Sequence, residues 1–134
     1  MKTALIDTDI LSEFFRGNPG VVENAKKYLQ IYDSITYSII TYYEILNGLL
    51  YKDANKQLEK FQAFSEISRI LPLTISAATQ AAEIFSELRK SGQPIGHTDC
   101  LIAGIALSND MQLVTNNTLH FQRIKKLEII NWLV

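Results

Sequence analysis

Short apolar runs recur between longer amphipathic stretches along the whole chain, and this alternation constrains the fold more than any other feature. Ala4-Leu5-Ile6, Ile35-Thr36-Tyr37-Ser38, Ile70-Leu71-Pro72-Leu73, Leu113-Val114 and Glu128-Ile129-Ile130 are brief and apolar, several of them β-branched, so they read as strands. Between them, residues 8–16, 21–31, 41–51, 55–68, 76–91 and 98–108 carry apolar side chains at helical spacing, and 117–122 makes a single turn. Gly17-Asn18-Pro19-Gly20 and Gly92 are breaks. Strands separated by helices predict a three-layer α/β/α architecture around a central, mostly parallel five-stranded sheet. Pro72 puts the third strand at an edge. The run Leu101-Ile102-Ala103-Gly104-Ile105-Ala106 predicts a helix buried on several sides.

A length of 134 residues is close to the commonest domain size, so residues 1–134 are expected to form one domain. The net charge of −1 excludes a broad basic face for nucleic acid. Any RNA must be held by a few local cations, a bound metal or a surface shared with a partner. The lone cysteine, Cys100, allows no internal disulfide, which suits a reducing compartment. No apolar stretch approaches the roughly 20 residues of a membrane span, and the N-terminal run stops at Asp7. A cytoplasmic protein with no signal peptide and no membrane contact is the expectation.

In parallel α/β sheets, ligands bind beyond the carboxyl ends of the strands. The first strand ends in Asp7-Thr8-Asp9; the second leads to Thr41 and, one turn on, Glu44; the fourth leads to Thr115-Asn116-Asn117; Asp99 opens the buried helix before it. Each has a structural reading of its own. Thr41-x-x-Glu44 fits a capping box, Asp99 a first-turn acid, Asn117 an N-cap and Asp9 an exposed first-turn acid or cap. Asp7, a charge directly after a central strand, needs a partner to offset its desolvation. Asp7, Glu44 and Asp99 in one cleft would repel each other, and a cation is their natural partner. All-oxygen ligation suits Mg²⁺, with Mn²⁺ as a substitute, and not Zn²⁺. Such a cation activates water and stabilises a phosphodiester under in-line attack.

In that order, Leu5-Ile6-Asp7-Thr8-Asp9-Ile10-Leu11, Thr41-x-x-Glu44-Ile45-x-x-Gly48, Asp99-x-Leu101-Ile102-Ala103-x-x-Ala106 and Leu113-Val114-Thr115-Asn116-Asn117 with Phe121 resemble the PIN-domain family. The resemblance covers the whole chain and is greatest to the VapC-type toxins of toxin–antitoxin pairs, Mg²⁺-dependent endoribonucleases. It implies Asp7, Glu44 and Asp99 as metal-binding carboxylates, Thr115 as the accompanying hydroxyl, and a central first strand. It also implies a homodimer and an antitoxin whose C-terminal segment covers the site. Asn117 departs from the pattern, since many members carry a fourth acid there. Three carboxylates under-neutralise two Mg²⁺, so one metal is expected on the free protein, any second arriving with the substrate phosphate.

A haloacid-dehalogenase-like phosphatase shares Asp7-x-Asp9, but Leu11 stands where that motif has Thr or Val. A receiver domain needs an aspartate after the third strand, where Leu73-Thr74 has none. The alternative to catalysis is a PIN-like protein that binds RNA or a partner without cutting. Arg16 and His97 are the candidate RNA contacts, His97 because it lies two residues before Asp99; His120 ranks below it. Arg123, Lys125 and Lys126 read as solvated charge. Leu11, Phe14, Phe15, Tyr42, Tyr43 and Leu46 divide between the core and a surface for an antitoxin helix or a second copy.

Overall fold

The structure, a computed structural model, describes residues 1–134. In chain order its elements are β1 (Ala4–Ile6), α1 (Thr8–Phe15), α2 (Pro19–Leu29), β2 (Thr36–Ser38), α3 (Ile39–Tyr51) and α4 (Asn55–Glu66), followed by β3 (Arg69–Leu71), α5 (Ile75–Lys90), α6 (His97–Ser108), β4 (Gln112–Val114), α7 (Thr118–Phe121) and β5 (Ile129–Ile130). The five strands form one sheet in the order β3-β2-β1-β4-β5, and every neighbouring pair is parallel. The sheet is therefore wholly parallel where the sequence predicts mostly parallel. β1 is central and β3 is an edge, as expected, although β3 ends at Leu71 and Pro72 lies just beyond it.

From β1 the sheet grows through β2 to β3, and the chain then crosses back to lay β4 on the other side of β1. The strand order reverses between β1 and β4, and there parallel sheets open a crevice. Ile6 is in register with Val114, so Asp7 and Thr115 emerge side by side at its mouth.

Alternation along the strands divides the core between two faces. Leu5 and Leu113 pack with Ala77, Ala81, Ile102, Ile105 and Phe121 under α5 and α6. Ala4, Ile6 and Val114 pack with Ile10, Val21, Tyr28, Ile45 and Phe61 beneath α1 to α4. Helices thus cover both faces. α6 meets α5 at Gly104, where a Cβ would stand 2.3 Å from the Ala77 carbonyl oxygen, so only glycine permits that approach. No helix is long and apolar enough to cross a membrane.

Four helices begin one or two residues earlier than their apolar periodicity predicts, three of them behind a side-chain cap. The Asn18 side chain accepts from the Gly20 and Val21 N–H groups with Pro19 in the first turn, so α2 starts inside the Gly17–Gly20 break. Ser38 caps α3 through the Thr41 N–H, which begins that helix at Ile39. Thr74 caps α5 through the Ala77 N–H, which begins it at Ile75, and α6 starts at His97 behind Gly96 with no side-chain cap.

Candidate active site

Asp7 is the N-cap of α1. Its Oδ1 accepts the Thr8 N–H at 2.9 Å and its Oδ2 accepts the Thr115 hydroxyl at 2.8 Å. The residue is 6% exposed. Burial pushes its carboxyl up to about 7, the adjacent Asp9 charge adds to the rise, and the two hydrogen bonds oppose it. Thr115 is fully buried and its Oγ1 also accepts the Asn117 N–H at 3.0 Å. One hydroxyl therefore ties the end of β4 to the end of β1.

Glu44 lies on α3, and the capping-box reading fails for it because Ser38 holds that cap. Instead the Thr8 hydroxyl donates to Glu44 Oε1 at 2.6 Å. A hydroxyl carries one proton, so the 2.9 Å contact between Thr8 and Thr41 has Thr41 as donor. The chain Thr41–Thr8–Glu44 fixes the carboxylate against the start of α1.

Asp99 stands in the first turn of α6. The Asn117 Nδ2 is 3.5 Å from Asp99 Oδ2 and 3.0 Å from His120 Nδ1, and that ring nitrogen is 3.7 Å from the same carboxylate oxygen. Burial raises the Asp99 carboxyl; His120 opposes the rise, while Glu44 and Asp9 add to it. Asn117 precedes α7 without capping it, its side chain being turned to Asp99 and His120.

One expectation needs correction, and two candidate RNA contacts are placed by their neighbours. Asp9 is not an exposed acid: half-buried, it accepts the Ile10 N–H at 2.7 Å and the Asn116 N–H at 3.0 Å, and burial raises its carboxyl. Arg16 pairs with Glu13 at 2.8 Å on the surface. His97 stacks on Phe85 of α5, ring centroids 4.0 Å apart, because residues two apart on a helix do not face the same way. The histidine beside Asp99 is His120, which sequence reasoning ranked lower. Its three-residue spacing from Asn117 across a helical turn was the available signal.

Asp7, Asp9, Asp99 and Glu44 thus form one electrostatic group, in which Asp7 feels Asp9 and Asp99, and Asp99 feels Glu44. None of the four forms an ion pair with a lysine or arginine; Lys2 pairs with Glu128 and Arg16 with Glu13, and Asp99 has only His120 beside it. Every buried side-chain polar atom is nevertheless hydrogen-bonded. No three of the carboxylates and histidines stand close enough to enclose an ion by themselves. The set is open, and an open set fits Mg²⁺, which keeps several waters and takes only one or two carboxylates. Cys100 is buried, its thiol pushed up to about 11 by that burial, and offers no thiolate.

Acids at the starts of α1 and α6 and on α3, gathered at the β1/β4 switch point of a parallel sheet, define a class of protein. The PIN domain matches residues 4–127, and the chain belongs to the PIN-domain family. Its relatives are VapC proteins. Ribonuclease VapC1 of Haemophilus influenzae (strain R2866) is 28% identical over 129 residues, covering 96% of each chain. The tRNA(fMet)-specific endonuclease VapC of Shigella flexneri is 29% identical over 133 residues, 98% of this chain and 99% of that one. Among solved structures, VapBC2 from Rickettsia felis bound to a promoter DNA fragment aligns with a TM-score of 0.87 at 25% identity, over 97% of this chain and 98% of that one.

Proposed function

We propose that this protein is a divalent-metal-dependent endoribonuclease and the toxin of a toxin–antitoxin pair. The observation that carries the reading is the group Asp7, Asp9, Asp99 and Glu44, gathered where the sheet order reverses and with no ion pair to a lysine or arginine. Relatives named as VapC ribonucleases along the whole chain support it.

Asp7, Asp99 and Glu44 would hold the metal, Mg²⁺ or in its place Mn²⁺, one or two of them directly and the rest through its waters, and when bound it would activate water and screen phosphodiester charge. The protein's own groups prepare the site. Thr115 holds Asp7, Thr8 and Thr41 hold Glu44, and Asn117 reaches Asp99. Asp9 accepts a backbone N–H group at each oxygen, which anchors it, and it adds its charge to the site. With an amide at Asn117, a site of three carboxylates favours one resident metal.

RNA is the substrate, and tRNA is the class to examine first, because the Shigella flexneri relative bears the name of a tRNA(fMet)-specific endonuclease. The partner is an antitoxin, as the VapBC complex from Rickettsia felis suggests. Exposed Tyr43, Leu50 and Tyr51 on α3 supply apolar surface for the antitoxin or for a homodimer. Sequencing RNA 5′ ends from cells expressing the chain tests the reading: a discrete set of new ends is expected, and a pattern identical to uninduced cells overturns it.

A further inference from the structure

The four carboxylates leave the site short of groups able to hold an RNA phosphate. Arg16 is engaged by Glu13, and Arg123 donates to the Pro94 carbonyl. The nitrogen donors on the rim are His120 and the amides of Asn116 and Asn117, and His120 is placed in a particular way.

The Asn117 amide has one orientation that suits both neighbours. Its Nδ2 reaches Asp99 Oδ2 at 3.5 Å, and turning the amide over would set a carbonyl oxygen against that carboxylate. With the NH₂ group held there, it donates to His120 Nδ1 at 3.0 Å. In the neutral ring Nδ1 is then an acceptor and the proton sits on Nε2, and the protonated ring, the form that opposes the rise at Asp99, carries the same Nε2–H. The ring is 46% exposed and its inner nitrogen is taken by Asn117, so Nε2–H is the donor it offers beyond the protein.

We propose that His120 is a substrate-contacting residue whose Nε2–H donates to a non-bridging oxygen of the RNA phosphate lying over Asp99, with Asn117 as the group that sets its tautomer. This rests on the ribonuclease reading. The geometry gives Asn117 a purpose at a position where many family members carry an acid. An amide can donate to Asp99 and to the imidazole together, whereas a carboxylate would repel the first and draw a proton onto Nδ1 of the second. The contact made by Nε2–H is to the backbone and so is independent of base sequence.

The test is equilibrium binding of a fluorescein-labelled, randomised single-stranded RNA of about 20 nucleotides, with Ca²⁺ replacing Mg²⁺ to suppress cleavage. Wild type, His120→Ala and His120→Gln are compared, and Mn²⁺ affinity is measured separately by electron paramagnetic resonance. Gln carries an amide NH₂ where the imidazole has Nε2. The expectation is that His120→Ala weakens RNA binding about tenfold, that His120→Gln recovers most of the loss, and that Mn²⁺ affinity stays within about twofold of wild type. His120→Ala binding RNA as wild type does overturns the proposal. So does a parallel loss of RNA and Mn²⁺ affinity, which makes His120 a support for Asp99 alone. Failure of the wild type itself to bind RNA overturns the ribonuclease reading, and this inference with it.

Discussion

The Thr115 hydroxyl donates to Asp7 Oδ2 at 2.8 Å across 108 positions of sequence, joining the ends of two adjacent parallel strands. The bond is fully buried and also supports the Asn117 N–H, so both partners lose if it is removed. Thr115→Val keeps the shape without the hydroxyl. It is expected to cost about 1–3 kcal/mol in urea unfolding and to slow RNA cleavage about tenfold, with Thr115→Ser close to wild type.

Burial of Asp7 makes metal-free stability depend on pH. Its carboxyl is raised from the ordinary 3.8 to about 7, so the folded state holds that proton more tightly than the unfolded state does. Stability is then greatest at the acid side and falls as pH rises from about 4 to about 7. Asp9 and Asp99 shift in the same direction. In EDTA, Asp7→Asn should flatten this slope and raise stability above pH 7 by on the order of 2 kcal/mol, measured by thermal unfolding across the range. Mn²⁺ binding should run the other way, weakening by up to about tenfold per unit as pH falls below 7, because metal and proton compete.

Asp9 clasps the loop after β4 to the start of α1 through the Asn116 and Ile10 N–H groups. Asp9→Ala should cost about 1–2 kcal/mol and lower cleavage by loosening Thr115 and Asn117. Asp9→Asn, with one acceptor oxygen in place of two, should fall between. Amide exchange at Asn116 reads the effect directly, and unchanged protection in Asp9→Ala would remove the clasp from the account.

Gly104 tests the packing that carries Asp99. A Cβ there meets the Ala77 backbone oxygen at 2.3 Å and the Ala81 Cβ at 3.1 Å, and backbone cannot swing aside as a side-chain tip can. Gly104→Ala is expected to destabilise by about 1–3 kcal/mol despite alanine's better helix propensity, as urea denaturation would record.

The layers were legible because short apolar strands alternated with amphipathic helices, and the central place of β1 followed from the family resemblance, while the order of the remaining strands came only with the structure. The role of Glu44 was not. Thr41-x-x-Glu44 satisfies a capping pattern locally, and only the approach of α1, which brings the Thr8 hydroxyl to the carboxylate, decides against it. The burial of Asp9 was hidden for the same reason, since its partner Asn116 is 107 residues away. His97 stood out by closeness in sequence to Asp99, yet the helix turns it to Phe85, and His120 arrives from a separate helix.

RNA cleavage by purified wild type and Asp7→Asn, each verified as folded, with Mg²⁺ and with EDTA, bears most directly on the central claim. The account predicts cleavage by wild type with Mg²⁺, none in EDTA, recovery on adding Mn²⁺, and a loss of at least about a hundredfold in Asp7→Asn. Equal cleavage by the two proteins, or cleavage unaffected by EDTA, would contradict it.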